Sequence, residues 1–442
     1  MALFPQEALN EGVRKREVFG WAMYDFANSG YTTVVLTAVF NAYFVGVIAN
    51  GAPWGTLAWT LTLGASSLLV MLTMPAIGAY ADLRAAKKRL LAISTVGCIL
   101  ATGALALTGR GDVTLAVLAV VLSNTFYSYG ESLSAAFLPE LARQNAIGRV
   151  SGWGWSFGYF GGMLALGLSL AYVLAAQARG EPTTSFVPVT MLITAGVYGI
   201  ASIATFVLLR ERAVPQPLVG ISGLAASLRE LAQTWRNARR FGDFTSMLIC
   251  GAFYQAGISV VIALAAVYAE QVLGFKQAQT MMLVFLVNIA AALGAFGFGY
   301  WQDRIGAKRA LALTLGGWIV MIALAALATG PLLFWIAAVI AGLCMGSSQS
   351  TGRAIISLFA PERQRAEFYG LWTFATRLAA IIGPVTYGVI TLLSAGNHRL
   401  AIMSTAAFFV VGLALLARVD VGRGMAAARS VPAGPSGSIA PQ

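Results

Sequence analysis

The 442-residue sequence predicts an all-α polytopic membrane protein, with about twelve transmembrane helices in two parallel six-helix repeats. Three observations lead there. The chain is 58% hydrophobic and only 10% charged, whereas soluble domains carry about 25% charged residues. Its apolar residues fall in blocks of about 20, the length that crosses about 30 Å of hydrocarbon as a helix. Two short motifs recur at nearly the same offset. One very large aqueous core is excluded, because single cores stop growing near about 250–300 residues. Barrel strands are excluded too, because they alternate in segments of about ten. In lipid each backbone polar group must be satisfied within its own segment, so the spans are helices.

The spans lie near 19–48, 54–80, 90–108, 114–138, 150–177, 187–209, 244–270, 280–300, 310–328, 332–358, 368–393 and 399–417. Residues 1–18 are polar and charged and read as a cytoplasmic segment, with span 1 as its own insertion signal. Residues 19–209 form one bundle and 244–417 the other. The stretch 210–243, with its prolines and basic run, reads as a cytoplasmic linker. Residues 418–442 are rich in Gly, Pro, Ala and Ser and read as a disordered cytoplasmic tail.

The net charge is +12, but its distribution points to a membrane and not to nucleic acid. With the N-terminus inside, 23 Lys and Arg fall on the inner side and 4 (Arg110, Arg179, Lys276, Arg399) on the outer side. That is the positive-inside signature and puts both termini in the cytoplasm. A multi-pass inner (cell) membrane protein is expected, with its basic loops against anionic headgroups. The three cysteines, Cys98, Cys250 and Cys344, all lie in spans. The single histidine, His398, lies in an outer loop. Neither metal-ligand spacing nor a disulfide framework is present, and no P-loop or nucleophile elbow is found. No cofactor and no enzymatic activity are expected, and the chain is expected to be a monomer.

The repeats are legible after spans 2 and 8. Gly78-x-x-x-Asp82-Leu83-Arg84 precedes Lys87-Lys88-Arg89, and Gly299-x-x-x-Asp303-Arg304-Ile305-Gly306 precedes Lys308-Arg309. The aspartates are 221 residues apart; Pro139-Glu140 and Pro361-Glu362, after spans 4 and 10, are 222 apart. An ordinary basic turn accounts for one copy, not for two at a matched offset. Odd and even spans keep their roles, so the repeats are parallel about an axis along the membrane normal. The first motif resembles the loop signature of the major facilitator superfamily, G-x-x-x-D-[RK]-x-G-[RK]-[RK]. The copy at 299–309 is close to complete. In the copy at 78–89 Leu83 and Ala85 depart from it. The glycine lets helices approach closely, and the aspartate suits a neighbouring helix N-terminus and a basic side chain. Gly78, Asp82, Arg84, Gly299, Asp303, Arg304, Lys308 and Arg309 are therefore the expected gating latch.

A narrower resemblance lies in three stretches. These are Trp21-Ala-Met-Tyr-Asp25-Phe-Ala-Asn28-Ser29-Gly-Tyr31, then Arg149-Val-Ser-Gly152-Trp-Gly154-Trp155 with Gly158-Tyr159, and Gly346-Ser-Ser-Gln349 with Arg353, Pro361-Glu362 and Glu367-Phe-Tyr-Gly370-Leu-Trp372. Together they are similar to the autophagy-related vacuole effluxer branch of that superfamily, bacterial type. The departure is at Tyr254-Gln255-Ala256-Gly257, where that branch shows Tyr-Asn-Asp-Gly. The resemblance implies the major facilitator fold and amino-acid export.

An ionisable group at mid-membrane costs about 2.5–3.5 kcal/mol on insertion scales and marks function by default. Asp25, Glu131, Arg353 and Arg377 qualify. Helical spacing gives each a polar stripe: Asp25, Asn28, Ser29 and Thr32 in span 1; Asn124, Tyr127, Ser128, Glu131 and Ser134 in span 4; Gly346, Gln349, Arg353 and Ser357 in span 10; Thr373 and Arg377 in span 11. Both acids lie in the first repeat and both bases in the second. Glu131 and Arg353 are equivalent at an offset of 222 and are expected to face each other. A cavity with one negative and one positive wall suits a zwitterion. Fixed ion pairs clamping the halves, Glu131–Arg353 or Asp25–Arg377, are the alternative. Asp25 in addition reads as a proton or substrate site, or as a structural polar contact. The expected pathway is Asp25, Asn28, Thr32, Asn124, Tyr127, Glu131, Tyr254, Gln255, Gln349, Arg353 and Arg377. The function expected is proton-coupled efflux of an amino acid or similar zwitterion by alternating access. A multidrug or organic-solute exporter, or a non-transporting sensor or scaffold, are the rivals.

Overall fold

Long apolar runs with few competing polar groups leave the backbone one way to satisfy itself in hydrocarbon, and the chain takes it. The computed structural model describes residues 4–52, 54–213, 215, 241–275, 277–394 and 397–430. Among these, twelve helices are long and apolar enough to cross a membrane. The first half holds α1 (Lys15–Ile48), α2 (Gly55–Leu83), α3 (Lys87–Ala104), α4 (Val113–Ala135), α5 (Ile147–Ala178) and α6 (Thr183–Leu208). The second holds α7 (Gly242–Leu273), α8 (Gln277–Ile305), α9 (Ala307–Leu327), α10 (Pro331–Phe359), α11 (Arg365–Leu393) and α12 (His398–Arg418). Most of the expected linker, 214 and 216–240, lies outside the described residues.

Local chemistry sets the breaks. Gly306 turns the chain between α8 and α9 at φ 90°, and in the first repeat Ala85 takes the corresponding left-handed turn at φ 49°. A residue with a Cβ pays about 1–2 kcal/mol for that conformation, so the first copy of the motif carries strain that the second avoids. α1 widens into π-helical turns over Thr32–Ala38 and Phe44–Ile48. Thr32 and Thr33 hydroxyls donate to the Ser29 carbonyl at 3.0 and 2.9 Å, and Thr37 donates to that of Thr32 at 3.0 Å. Such side chains compete with the backbone ladder and bend helices.

An even number of spans brings both ends of the chain to one side, called here the terminal face. There the N-terminal segment folds back on the first half. Phe4 meets Trp153 edge-on at 4.9 Å, Asn10 donates to the Pro139 and Glu140 carbonyls, and Arg143 donates to that of Leu9. The tail corrects its expectation. The composition of residues 418–442 predicts disorder, yet Val421–Arg429 forms helix α13. Asp420 caps it by accepting from Arg423 N, and Arg423 holds Asp243 of α7 through two hydrogen bonds of 2.6 and 2.7 Å. Gly424 lies against Phe359, and Arg429 reaches Gln144 in the first half. Residues 431–442 lie outside the described residues.

The halves meet along two seams, α2 against α11 and α5 against α8, with α10 touching α5 and α4 touching α11. Among the described residues, the hydrogen bonds and ion pairs that cross between halves all fall in the terminal half of their helices. The farthest, at the Ala292 carbonyl that accepts from Ser156, lies 13 residues from the terminal end of α8, about 20 Å at 1.5 Å per residue; Arg377 lies 12 residues along α11.

Candidate functional site

The seams are held at the terminal face by two related contacts. Asp303, at the end of α8, accepts from the backbone N–H groups of Gly148 (3.0 Å) and Arg149 (3.2 Å) at the start of α5. It also accepts from Arg149 Nε at 2.9 Å. Asp82, at the end of α2, accepts from Glu367 N at the start of α11, at 3.0 Å. Each aspartate thus caps a helix of the opposite half, where the unsatisfied N–H groups and the macrodipole favour an anion. The glycine one turn earlier permits the approach. A Cβ on Gly299 would lie 2.7 Å from the Gly148 carbonyl oxygen, and one on Gly78 would strike that of Ala366.

Deeper in, Arg353 of α10 is held from four sides. Its Nη1 donates to Asp25 Oδ2 of α1 at 2.6 Å, its Nε to Ser151 Oγ at 3.1 Å and its Nη2 to the Ser151 carbonyl at 2.7 Å. The Trp21 and Trp155 rings lie 4.8 and 5.3 Å from the guanidinium carbon. Gly154 makes room, since a Cβ there would come within 2.5 Å of both Arg353 Nη2 and Asp25 Oδ2. Charge, fork geometry and two π faces are all supplied, as a buried guanidinium requires. The pair is closed off, with side chains only 8% and 12% exposed.

The second pair is open. Arg377 of α11 donates from Nη2 to Glu131 Oε2 of α4 at 3.0 Å, and the Glu131 side chain is 37% exposed. Beside it on α4, Tyr127 stacks on Tyr31 with centroids 5.3 Å apart. The pair thus joins two opposite charges on two halves, with the acid partly exposed.

Residues 58–429 match the family described as vacuole effluxer Atg22 like. The chain belongs to that family. It is 26% identical over 406 residues to the uncharacterized MFS-type transporter YxiO of Bacillus subtilis, covering 90% of this chain and 94% of that one. It is 26% identical over 302 residues to autophagy-related protein 22-1 of Penicillium rubens, spanning 62% of this chain and half of the fungal protein. The human organic anion transporter MFSD10 (TETRAN) has the same fold, with a TM-score of 0.70 at 16% identity over 91% of this chain and 99% of that one. This Atg22-like protein is therefore a membrane transporter of the major facilitator type and not an enzyme.

The transporter's geometry corrects the expected pairing. Glu131 and Arg353 are not paired, though Glu131 lies within electrostatic reach of both Arg353 and Asp25, and the alternative Asp25–Arg377 pair is absent as well; the partners are exchanged. Residues equivalent by the repeat lie on opposite sides of its axis. α4 abuts α11, so Glu131 meets Arg377; α5 abuts both α1 and α10, so Arg353 reaches Asp25 beside it. Other pathway candidates divide. Asn28 is 4% exposed, and its amide has no protein partner among the described residues. Thr32 spends its hydroxyl on its own helix. Asn124 donates to Ser66 Oγ of α2 at 2.9 Å, within the first half. Gln255 donates to Gln349 Oε1 at 2.9 Å, joining α7 to α10 within the second half. Tyr254 is fully buried against Gly352 and Trp372.

The expected latch also shrinks. Arg84 and Arg309 are exposed, Lys308 donates to the Ala417 carbonyl of α12 at 2.9 Å, and Arg304 faces outward from α8. The basic partner is Arg149, on the opposite half. Trp155, one of the aromatics expected to complete a substrate pocket, instead covers Arg353 together with Trp21, and Arg149 and Gly154 carry roles that their sequence motif alone does not assign. Sequence reasoning also passed over a charged cluster at the terminal face. Fully buried Lys87 pairs with Glu140, and Arg365 of the second half reaches Glu140 at 3.6 Å. Glu211, just after α6, stands 3.8 Å from Lys87.

Proposed function

We propose that the transporter is a secondary one that moves a small zwitterion, an amino acid or a similar solute, by alternating access. Its terminal face lies in the cytoplasm, transport is outward across the cell membrane, and a proton gradient drives it. The Glu131–Arg377 pair carries this reading. One acid and one base stand on opposite halves at mid-membrane, with the acid open to water. A zwitterion's ammonium can replace Arg377 on Glu131 while its carboxylate takes the guanidinium fork. Asp25–Arg353 lies on the terminal side of that site and acts as the closed gate, and Asp25 is the group to take up a proton when the gate opens. The basic inner loops support the orientation, and the family's description as effluxers supports the direction. Asp82 and Asp303 act as the latches of the closed state.

The test is counterflow in liposomes. Purified protein is reconstituted, preloaded with one unlabelled amino acid after another, and given labelled solute with and without a pH step. Exchange of at least one zwitterion, with accumulation that follows the pH step, is expected. If organic anions or cations exchange and no zwitterion does, the organic-solute exporter is the correct reading.

A further inference from the structure

Away from the pathway, the outer surface of α8 carries an open groove of about 350 Å³ lined by Phe296, Gly297, Tyr300, Trp301 and Arg304. It continues a helical face on which Phe285, Ile289, Leu293 and Phe296 are exposed. On a spanning helix that face meets acyl chains. Three features set its terminal end apart from a plain lipid-facing surface. Gly297 leaves a notch, since a Cβ there would meet nothing within 4 Å. Phe296 and Trp301 wall the notch at 41% and 45% exposure. Arg304 closes it with an exposed guanidinium that has no ion-pair partner among the described residues, and exposed Arg309 follows in the first turn of α9, beyond the Gly306 break.

We propose that this groove binds one anionic phospholipid from the leaflet at the terminal face, a site separate from the transport pathway and independent of the solute's identity. An acyl chain lies along Phe296, Gly297 and Trp301, and the headgroup phosphate sits on Arg304. Aromatic walls favour a chain, and an unpaired guanidinium at headgroup depth favours a phosphate. The charge selects an anionic lipid, because the second positive charge at Arg309 finds no use in a zwitterionic headgroup. Tyr300 ties the groove to the seam. From the other side its hydroxyl accepts from Trp153 Nε1 at 3.3 Å, and the Arg149 guanidinium lies 5.8 Å from its ring centroid. Arg149 is the residue that holds Asp303. A lipid packed on the groove face of Tyr300 therefore favours the closed α5–α8 seam.

Native mass spectrometry of the full-length protein, titrated with phosphatidylglycerol or phosphatidylcholine, tests this. One phosphatidylglycerol is expected to be retained at least tenfold more tightly than phosphatidylcholine. Arg304→Gln is expected to abolish that preference, and Gly297→Leu to abolish the tight site by filling the notch. Leucine is a good helix former and meets no protein atom there, so Gly297→Leu is expected to keep its unfolding midpoint. Free glycerol phosphate is expected not to compete. Equal retention of the two lipids, unaltered phosphatidylglycerol binding by both variants, or displacement by glycerol phosphate alone would each overturn the proposal.

Discussion

Replacing Asp25 by Asn keeps the shape of the gate and removes its negative charge. Arg353 cannot lose its own charge and is then stranded among groups that are only 8% exposed on its side. Breaking a buried pair costs about 3–5 kcal/mol. Four contacts survive on Arg353: two hydrogen bonds to Ser151 and the faces of Trp21 and Trp155. Those faces are worth about 0.5–2 kcal/mol each, which puts the cost at the low end, about 3 kcal/mol. Asp25 and Arg353 stand on opposite halves, so the cost falls on the closed state alone. At 1.4 kcal/mol per decade, about 3 kcal/mol is a shift of about a hundredfold toward the terminal-open state. Spin labels at Arg89→Cys and Arg309→Cys, exposed sites on opposite halves at the terminal face, report it as a longer distance in electron double-resonance spectra. Glu131→Gln provides the contrast. The Glu131 side chain is 37% exposed and Arg377 17%, against 12% and 8% for Asp25 and Arg353, so its loss is expected to shift the distances less than Asp25→Asn does. Identical distance distributions for Asp25→Asn and the wild type, with an unchanged unfolding midpoint, would show that the Asp25–Arg353 pair does not hold the closed state.

Gly154→Ala is expected to reproduce the Asp25→Asn distances, because the new methyl intrudes between Arg353 and Asp25; a wild-type spectrum would refute this. Asp303→Asn is expected to slow transport more than Asp82→Asn, since Asp303 pairs with the Arg149 guanidinium as well as accepting from two backbone N–H groups across the seam, while the hydrogen bonds described for Asp82 come from the backbone of Ala366 and Glu367; equal rates at matched expression would count against the ranking. In a double-mutant cycle on unfolding midpoints, Asp25→Asn with Arg353→Gln is expected to be non-additive, while Glu131→Gln with Arg353→Gln is expected to be additive. Arg423→Ala is expected to raise hydrogen exchange over residues 421–429, because it removes the two bonds that hold α13 to Asp243; unchanged protection would mean that Phe359 and Gln144 suffice.

Span number, the two halves and the repeated aspartates were legible because each has a local signal: a 20-residue apolar block, or a motif at a fixed offset. The four intramembrane charges were legible as a set for the same reason, since each alone is too costly to leave in lipid. Which acid meets which base was not. A stripe at i, i+3, i+7 fixes the face of a helix, but the neighbour of that face depends on how twelve helices are arranged. Repeat equivalence pointed to Glu131 and Arg353, and helix adjacency overrode it. Arg149 was hidden for a related reason: its aspartate lies 154 residues away, so no spacing rule reaches it. Composition misled at 421–429, where Ala-rich sequence with a capping Asp420 makes a helix once Asp243 and Phe359 offer it a surface.

The two ion pairs are placed in series, and each belongs to a different seam. Arg377 stands on α11, whose N-terminus Asp82 caps, so a solute that takes over Glu131 and Arg377 acts on the α2–α11 seam through one rigid helix. Arg353 bonds Ser151 on α5, whose N-terminus Asp303 caps, so a change of charge at Asp25 acts on the α5–α8 seam. A capped helix end is worth about 0.3–2 kcal/mol and a buried pair several. Neither event alone therefore offsets both seams. On the proposed reading, solute loosens one side of the terminal face and a proton loosens the other, and the face opens only when both have acted. That requirement is what coupling demands of a carrier, because a solute alone or a proton alone then finds the face still held by the seam it does not touch.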